Sequence, residues 1–316
     1  MEQRQCYLAV DGGNSKTEYR LLDESGIVVA SRRSGGSNHE TMAGGFDEAA
    51  HILIGEIEEL LEPNGYALEH VVDAVLGLAG ADNEDEAQAL QNGLRSAGLE
   101  QCFVCNDGYL GVLAGTESGV GICFSAGSGV TCAGINQEGA RAQFGGIGVL
   151  SGDVGGGYDI AAFVYQCVYQ HLFFNNTYTV LKDAYFTLFD VRSPEAFRAS
   201  AARIQNEEAA RQLIGLFFTA VETGDEIALR YAAKPLRTRR TASSQRPTRF
   251  ASNHRVQVSL SGSILSSVAP PAYRRMIEYE LFRRKGKLFQ LSINTRPPVE
   301  GAVRWVRQRN QLLQTP

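Results

Sequence analysis

Extended apolar runs and short polar turns alternate at the beginning of the chain. Residues 6–10 are apolar without interruption, which predicts a strand buried on both faces. Residues 17–22 and 26–32 are two further extended runs, separated by the polar turn 23–26. The N-terminal segment therefore predicts a strand, a tight turn and two more strands.

A helical period follows. Apolar residues recur every three or four positions before the Pro-Asn-Gly turn at 63–65; they are Phe46, Ala50, Leu53, Ile57 and Leu60. Further along, 71–78 predicts a buried parallel strand, 84–97 a helix, and 103–105 a strand before a short helix that ends near 115. The pattern is typical of an α/β protein.

The cycle starts again at residue 120. Residues 120–124 and 130–134 are extended, a third extended run follows, and 157–174 predicts a long helix. A repeated layout indicates two similar halves. We therefore predict a domain at 1–117 and a second at 118–299, with a final helix in 300–316 that packs back on the first domain.

A glycine turn between the first two strands carries the first candidate chemistry. Asp11 ends the strand, where a carboxylate suits Mg²⁺, and successive backbone N–H groups in the turn suit phosphates. An ordinary glycine turn, with Asp11 bonded to its own backbone, is the alternative. The predicted phosphate ligands are Gly13, Asn14, Ser15, Lys16 and Thr17.

Two further turns of small residues have a similar setting. Gly127, Ser128 and Gly129 lie between two extended runs, and their backbone N–H groups predict a second phosphate site. Gly262 follows the extended run 256–260 and predicts a turn close to a nucleoside. Between the two phosphate turns, Asp107 comes directly after a strand and before a glycine.

This order of segments resembles the superfamily of sugar kinases, actin and heat-shock ATPases. Within it, the chain is most similar to the N-acetylglucosamine kinase group, also called the BadF/BadG/BcrA/BcrD ATPase family. The resemblance implies an α/β chain of two ribonuclease-H-like (actin-like ATPase) domains with a nucleotide cleft between them. It also implies ATP and Mg²⁺ as cofactors, with Asp11 positioning the metal through water.

The same resemblance implies roles for single residues. Asp107 falls on the catalytic aspartate of the sugar kinases, where it would deprotonate the acceptor hydroxyl; a helix N-cap is the alternative. Asn38 falls on a sugar-binding asparagine, and Gly146 and Asp153 on positions that contact sugar hydroxyls. Asp153 has a second interpretation as a Mg²⁺ ligand.

Neighbouring residues carry more structural expectations. His39 is expected to hold its loop. The segment 77–82 resembles a turn that lines the cleft in the family, but Asp82 is expected to cap the helix that follows it. The glycine-rich stretch 145–157 departs from the family pattern, because Val154 replaces a glutamate and Gly156 a serine. Ile147 replaces an aromatic residue of the animal sugar kinases.

Composition adds limits on the class of protein. The 316 residues are 44% hydrophobic and 21% charged, which suits a protein with a substantial core. No run of eighteen apolar residues and no signal peptide is recognised, so we expect a cytoplasmic protein without membrane contact. The six cysteines fall on apolar segments, as expected for reduced thiols.

Charge is distributed unevenly along the sequence. From residue 230 onward the sequence contains 18 Lys or Arg residues and three acidic residues, although the whole chain has a net charge of −5. No known nucleic-acid-binding motif accompanies these cations, so we expect no nucleic-acid partner. The segment 236–255, rich in Arg, Ser and Thr, is expected to be an exposed loop.

Together, these observations predict ATP-dependent phosphorylation of an amino-sugar hydroxyl, on a sugar such as N-acetylglucosamine, glucosamine or a muramic-type relative. One alternative is an ATPase coupled to a partner protein, such as an activator of an acyl-CoA dehydratase or reductase. A sugar-binding sensor with little turnover is another. Dimers are common in the family, so the resemblance leaves a homodimer open.

Overall fold

The computed structural model describes residues 4–174, 178–234, 255–285 and 289–312. The predicted exposed loop at 236–255 lies outside these residues, apart from Arg255. Within the described part of the chain, no helix has the length and apolar character needed to cross a membrane.

Two five-stranded sheets form the framework. The first has the order β3-β2-β1-β4-β5, and its strands are β1 (Cys6–Gly12), β2 (Thr17–Asp23), β3 (Val28–Ser34), β4 (Val71–Leu78) and β5 (Cys102–Cys105). The second has the order β10-β9-β6-β7-β8, and its strands are β6 (Gly121–Ala126), β7 (Val130–Ile135), β8 (Arg141–Gly145), β9 (Val256–Ser261) and β10 (Phe289–Ile293). Written from its other edge, the second order is β8-β7-β6-β9-β10, which matches the first order strand for strand. This match confirms the predicted repeat.

Helices connect these strands. They are α1 (Gly45–Leu61), α2 (Glu84–Ser96), α3 (Gly108–Gly115), α4 (Gly157–Phe174), α5 (Leu181–Phe189), α6 (Pro194–Ala199), α7 (Glu207–Glu222), α8 (Glu226–Ala232), α9 (Pro271–Lys285) and α10 (Val299–Arg309). The first sheet is mixed, because β1 is antiparallel to β2 and parallel to β4, and β4 is parallel to β5. The α/β prediction is therefore confirmed.

Strand β1 is buried on both faces, as its apolar run predicts. Leu8 and Val10 pack on one side with α1 and α2, and Ala9 packs on the other with α3 and α10. Side chains of a strand alternate between its two faces, so two separate apolar clusters share this one strand. The first polar side chain of β1 is Asp11, next to its end.

A second apolar cluster is built mainly from helices α4, α5, α7 and α8. The sequence analysis predicted α4 but assigned no element between 174 and 256. Four helices occupy that interval in the described residues, and their apolar faces close over α4, with Phe217 and Tyr185 almost completely buried. Helices of this kind are stabilised mainly by the packing of such faces.

The chain forms two compact units. Unit 1 comprises 1–123, 133–143 and 294–316, and unit 2 comprises 124–132 and 144–293. The domain limits at 117 and 299 stay predictions. Helix α10 belongs to unit 1, where Val303 and Val306 join the cluster of Ala9.

Polar contacts also hold α10 in unit 1. Asp73 of β4 accepts hydrogen bonds from Arg309 Nε at 2.8 Å and from Asn310 Nδ2 at 2.8 Å. Arg304 donates to the carbonyl of Thr116, just after α3, at 2.6 Å. Asp73 is buried, so its carboxylate depends on these donors for the interactions it would otherwise make with water.

Replacement of Asp73 by alanine should therefore destabilise unit 1. We expect a loss of about 1–3 kcal/mol, because the Arg309 and Asn310 donors lose their buried acceptor. The shift of the urea unfolding midpoint measures it. Arg211→Ala is the matched control, since it removes an exposed ion pair with Glu207 and should change stability by less than about 0.5 kcal/mol. An unchanged midpoint for Asp73→Ala contradicts the expected role.

Candidate functional site

The hairpin between β1 and β2 is fixed by backbone hydrogen bonds. Gly13 N–H donates to the carbonyl of Lys16 at 2.9 Å and closes the turn. Two neighbouring loops hold it from outside, because Ala79 N–H donates to Gly12 and Ser37 N–H donates to Gly13. The hairpin is thus a rigid platform within unit 1, although the Gly13 N–H is already used inside the turn and is not available to a phosphate.

The side chains of this hairpin differ in their access to a ligand. Asn14, Ser15 and Lys16 are exposed, and the Lys16 ammonium lies 2.7 Å from the carboxylate of Glu18. Thr17 is fully buried, and its hydroxyl donates to the carbonyl of Gly35 at 2.9 Å. The Thr17 hydroxyl is thus enclosed by the protein, and its contact with a phosphate stays a prediction.

Asn38 connects the predicted acceptor turn to this hairpin. Its Nδ2 donates to Asn14 Oδ1 at 2.7 Å and to Glu40 Oε2 at 3.1 Å. Its Oδ1 accepts from the Glu40 amide at 3.0 Å. Both Nδ2 hydrogens are thus engaged in the protein, and a carbonyl oxygen with a second lone pair is what Asn38 still offers to a ligand. Sugar binding by Asn38 stays a prediction.

His39 lies where the sequence analysis expected it, in a structural position. It is buried, and its ring stacks on Phe46 with 4.1 Å between the ring centroids. This contact anchors the turn that carries Asn38 on the first residues of α1.

Asp107 stands at the start of α3, directly after β5. It occupies the N-cap position of the helix, yet its side chain makes no capping hydrogen bond. Asn106 takes that role, because its Oδ1 accepts from the Gly108 amide at 2.8 Å. Burial, and then the charge of Asp82, raise the pKa of Asp107 to about 6. Such a carboxyl is ionised at neutral pH and can still accept a proton efficiently.

The pKa of the Asp11 carboxyl is strongly raised. Burial, then the neighbouring charges of Asp107 and Glu18, raise the pKa of Asp11 to about 8, against the opposing effect of Lys16 and Arg20. The charge of Asp107 disfavours the ionised form of Asp11, and a cation bound beside them would reverse this effect. Among the described residues no group of three metal-binding side chains is found.

Asp82 does not cap α2, contrary to the expectation. Asn83 is the N-cap, and its Oδ1 accepts from the Glu86 amide at 3.0 Å; Glu86 accepts in return from the Asn83 amide at 3.2 Å. The Asn-x-x-Glu spacing of this capping box was readable in the sequence.

The carboxylate of Asp82 instead gathers side chains from two other elements. Its Oδ1 accepts from Asn106 Nδ2 at 2.7 Å and from Gln143 Nε2 at 3.1 Å. The sequence analysis assigned no role to Asn106 or Gln143. No local motif marks Gln143, because its partner is 61 positions away along the chain.

In unit 2, the second glycine turn rests on the beginning of α4. The carbonyls of Gly127 and Ser128 accept from the Gly157 and Tyr158 amides at 2.8 and 3.3 Å. The Gly127 N–H donates to Gly129 within the turn at 3.0 Å, so the expected phosphate contact through this N–H is not available. Ser128 and the Gly129 amide stay as predicted phosphate ligands.

Two glycines of unit 2 are required by close backbone approach. A Cβ on Gly262, whose φ is +85°, would lie 2.4 Å from the Ala126 carbonyl oxygen, and one on Gly156 would lie 2.8 Å from that of Ser128. Gly262 is thus placed against the strand that leads into the second glycine turn. The same geometry explains why glycine stands at 156, where the family pattern has serine.

Asp153 organises the glycine-rich stretch. Its Oδ2 accepts from the Gly146 and Gly148 amides at 2.8 and 3.0 Å. The structure therefore brings Gly146 and Asp153 together, as the predicted sugar site requires. Val154 packs against the apolar cluster of unit 2, so the departure from glutamate at this position contributes to the core.

The predicted site residues fall into two groups. Unit 1 carries Asp11, the first hairpin, Asn38 and Asp107, and unit 2 carries the second glycine turn together with Gly146, Asp153 and Gly262. Within unit 1, hydrogen bonds and shared electrostatics connect these residues into one polar region at the ends of β1, β4 and β5.

Comparison with known proteins gives two curated relatives. The chain is 33% identical over 156 residues to the N-acetylmuramic acid/N-acetylglucosamine kinase of Clostridium acetobutylicum, covering 48% of this chain and 50% of that protein. It is 24% identical over 235 residues to the N-acetyl-D-glucosamine kinase of Dictyostelium discoideum, covering 71% of this chain and 74% of that protein. The chain thus spans half the length of the first relative.

Among solved structures, a similar fold occurs in an N-acetylglucosamine kinase candidate from Chromobacterium violaceum. The TM-score is 0.68 at 21% identity, and the match covers 95% of this chain and 98% of that chain. This likeness confirms the predicted α/β fold.

A family model also matches the sequence directly. It is described as the BadF/BadG/BcrA/BcrD ATPase family and matches residues 8–172, just over half of the chain. The matched segment includes the first hairpin, Asn38, Asp107, the second glycine turn and the glycine-rich stretch. The chain therefore belongs to the BadF/BadG/BcrA/BcrD ATPase family.

Proposed function

We propose that this protein is an ATP-dependent carbohydrate kinase that phosphorylates a hydroxyl of an amino sugar. The observation that carries the proposal is the position of Asp107 together with the raised pKa of its carboxyl. A partly buried carboxyl with a pKa of about 6 stands at the end of a strand, and the neighbouring Asn106 has taken over its capping role. A carboxyl with a raised pKa and no capping hydrogen bond is suited to act as a general base.

In the proposed reaction, Asp107 accepts the proton of the sugar hydroxyl while the hydroxyl oxygen attacks the γ-phosphorus of ATP. The bond from this phosphorus to the bridging oxygen breaks, and ADP leaves with the electron pair. Phosphoryl transfer needs little covalent chemistry from a protein, so orientation of the hydroxyl and neutralisation of phosphate charge supply most of the catalysis.

Each unit carries candidate phosphate ligands of its own. Asn14, Ser15 and Lys16 are exposed on the first hairpin, and Ser128 with the Gly129 amide lies on the second turn. Asp11 would hold Mg²⁺ through water in its ionised form, which a bound cation favours against the burial that raises the pKa of this carboxyl. When bound, the metal would neutralise charge on the phosphate oxygens.

The acceptor is proposed to be an amino sugar on the strength of the two curated relatives, both of which are named as kinases of N-acetylated amino sugars. Gly146, Asp153 and Asn38 would contact its polar groups. A site with buried polar groups discriminates strongly against a substrate that leaves them unpaired, since each such group costs about 1–3 kcal/mol.

The first test is ADP release from Mg-ATP with a panel of sugars. We expect strong stimulation by one of N-acetylglucosamine, N-acetylmuramic acid or glucosamine, with little by glucose, and a phosphosugar among the products. Steady ADP release that no sugar changes contradicts the proposal and favours an ATPase coupled to a partner protein. Tight sugar binding without any transfer also contradicts it.

Replacement of Asp107 by asparagine tests the base. The variant keeps the shape of the side chain but cannot accept the proton, so kcat should fall by about 10²–10⁴-fold while sugar and nucleotide affinities, measured by calorimetry, stay close to wild type. Asp85→Asn, an exposed acid on α2, is the control and should keep full activity. Turnover near wild type in Asp107→Asn shows that another group is the base.

The pH profile gives a further test. Because only the ionised form of Asp107 accepts a proton, and because burial and Asp82 raise the pKa of this carboxyl to about 6, kcat/KM should fall as the pH drops through about 6. Below that pH, kcat/KM should fall by at most about tenfold for each pH unit. A profile that stays flat down to pH 4.5 is incompatible with this assignment.

A further inference from the structure

We propose that Asp82 is a positioning residue for the base Asp107 and acts through the side chain of Asn106. This inference rests on the proposed kinase function and adds a residue to which no role in the reaction has been given. Asp82 itself lies on the loop after β4, whereas Asp107 follows β5.

Asn106, whose side-chain amide makes the connection, is 4% exposed. Its Oδ1 accepts from the Gly108 amide at 2.8 Å, and its Nδ2 donates to Asp82 Oδ1 at 2.7 Å. An amide group is planar, so any rotation of this side chain weakens both bonds together. Asp82 therefore determines the orientation of the group that caps α3.

Asp107 lies between the two ends of this connection. Asn106, the residue before it, donates to Asp82. Gly108, the residue after it, donates its backbone amide to the Asn106 side chain. Free movement of Asn106 would leave the Gly108 amide without its acceptor and loosen the first turn of α3. The backbone that orients the Asp107 carboxylate is thus held by the hydrogen bond between Asn106 and Asp82, two residues that are 24 positions apart in the sequence.

A third element stabilises Asp82 itself. Gln143 Nε2 donates to the same Oδ1 at 3.1 Å. Two residues earlier on β8, the guanidinium of Arg141 lies over the rings of Phe103, Tyr109 and Trp305, with its carbon 5.3, 5.6 and 5.9 Å from their centroids. Cation–π contacts of this kind hold the strand that presents Gln143.

The charge of Asp82 supports the same role. After burial, it is the largest cause that raises the pKa of Asp107, which keeps this carboxyl a better proton acceptor. Asp82 is otherwise exposed, so a direct contact with the sugar is the competing explanation. The two explanations differ in the kinetic constant that they affect.

The experiment compares Asp82→Ala, Asn106→Ala, the double variant and Asp82→Asn with wild type, on the sugar that stimulates ADP release. Misplacement of a catalytic group by about 1 Å costs on the order of 10²-fold, so we expect kcat to fall by about that factor in each alanine variant while the KM for sugar changes less than about threefold. Asp82→Asn should recover much of kcat, because its amide oxygen still accepts from Asn106. The double variant should be no worse than the more damaged single variant, since both remove one interaction.

Asn83→Ala is the matched control. It removes the cap of α2 beside Asp82 but leaves the Asp82 carboxylate in place, so it should lower stability without lowering kcat. Wild-type kcat in Asp82→Ala overturns the proposal. An increase in KM alone overturns it in favour of direct sugar binding, and additive losses in the double variant show that the two residues act separately.

Hydrogen exchange of the Gly108 amide tests the connection without any turnover. Exchange should be faster in Asp82→Ala than in wild type and unchanged in Asn83→Ala. Equal protection in Asp82→Ala and wild type overturns the positioning role. If wild type itself phosphorylates no sugar, the proposed function fails, and the exchange result then shows separately whether Asp82 holds the start of α3.

Discussion

The burial of β1 on both faces is the constraint on which the first unit depends. Leu8 and Val10 belong to one apolar cluster and Ala9 to the other, and the strand carries no charged side chain before Asp11. Strands β4 and β5 run parallel to it, and their carboxyl ends lie at the same edge of the sheet. Ligands bind beyond this edge in sheets of this type. The apolar core thus determines where the acids Asp11 and Asp107 are placed.

Neutral amide side chains, and not the neighbouring acids, cap the helices at this edge of the sheet. Asn106 caps α3 in place of Asp107, and Asn83 caps α2 in place of Asp82. Capping by a carboxylate would favour its charged form and lower its pKa. Burial and the charge of Asp82 outweigh the lowering effect of the Gly108 and Asp107 backbone amides and raise the pKa of Asp107 to about 6.

Contact between backbones is the corresponding constraint in unit 2. Gly262 lies against Ala126, and Gly156 lies against Ser128, at distances that leave no room for a side chain. Together with the bonds from the Gly157 and Tyr158 amides, these contacts define the shape of the second glycine turn. A departure from the family pattern at 156 therefore maintains the fold of the turn, and Val154 adds to the core beside it.

The sequence by itself determined the elements that depend on local periodicity. Strand β1, helices α1, α2 and α4, and the repeated arrangement of strand, turn and strand were all predicted, because alternation and helical spacing report burial directly. Helices α5 to α8 were missed, since neither caps nor turn signals were assigned in that interval.

Only the tertiary structure decided the partners of the polar side chains. Asn38 bonds to Asn14 across 24 positions and Gln143 to Asp82 across 61, and no local pattern specifies such pairs. The hydroxyl of Thr17 was expected at a phosphate and is enclosed against Gly35. Periodicity shows which face of an element is buried, whereas the hydrogen bonds of a buried polar group depend on residues that the fold brings from elsewhere in the chain.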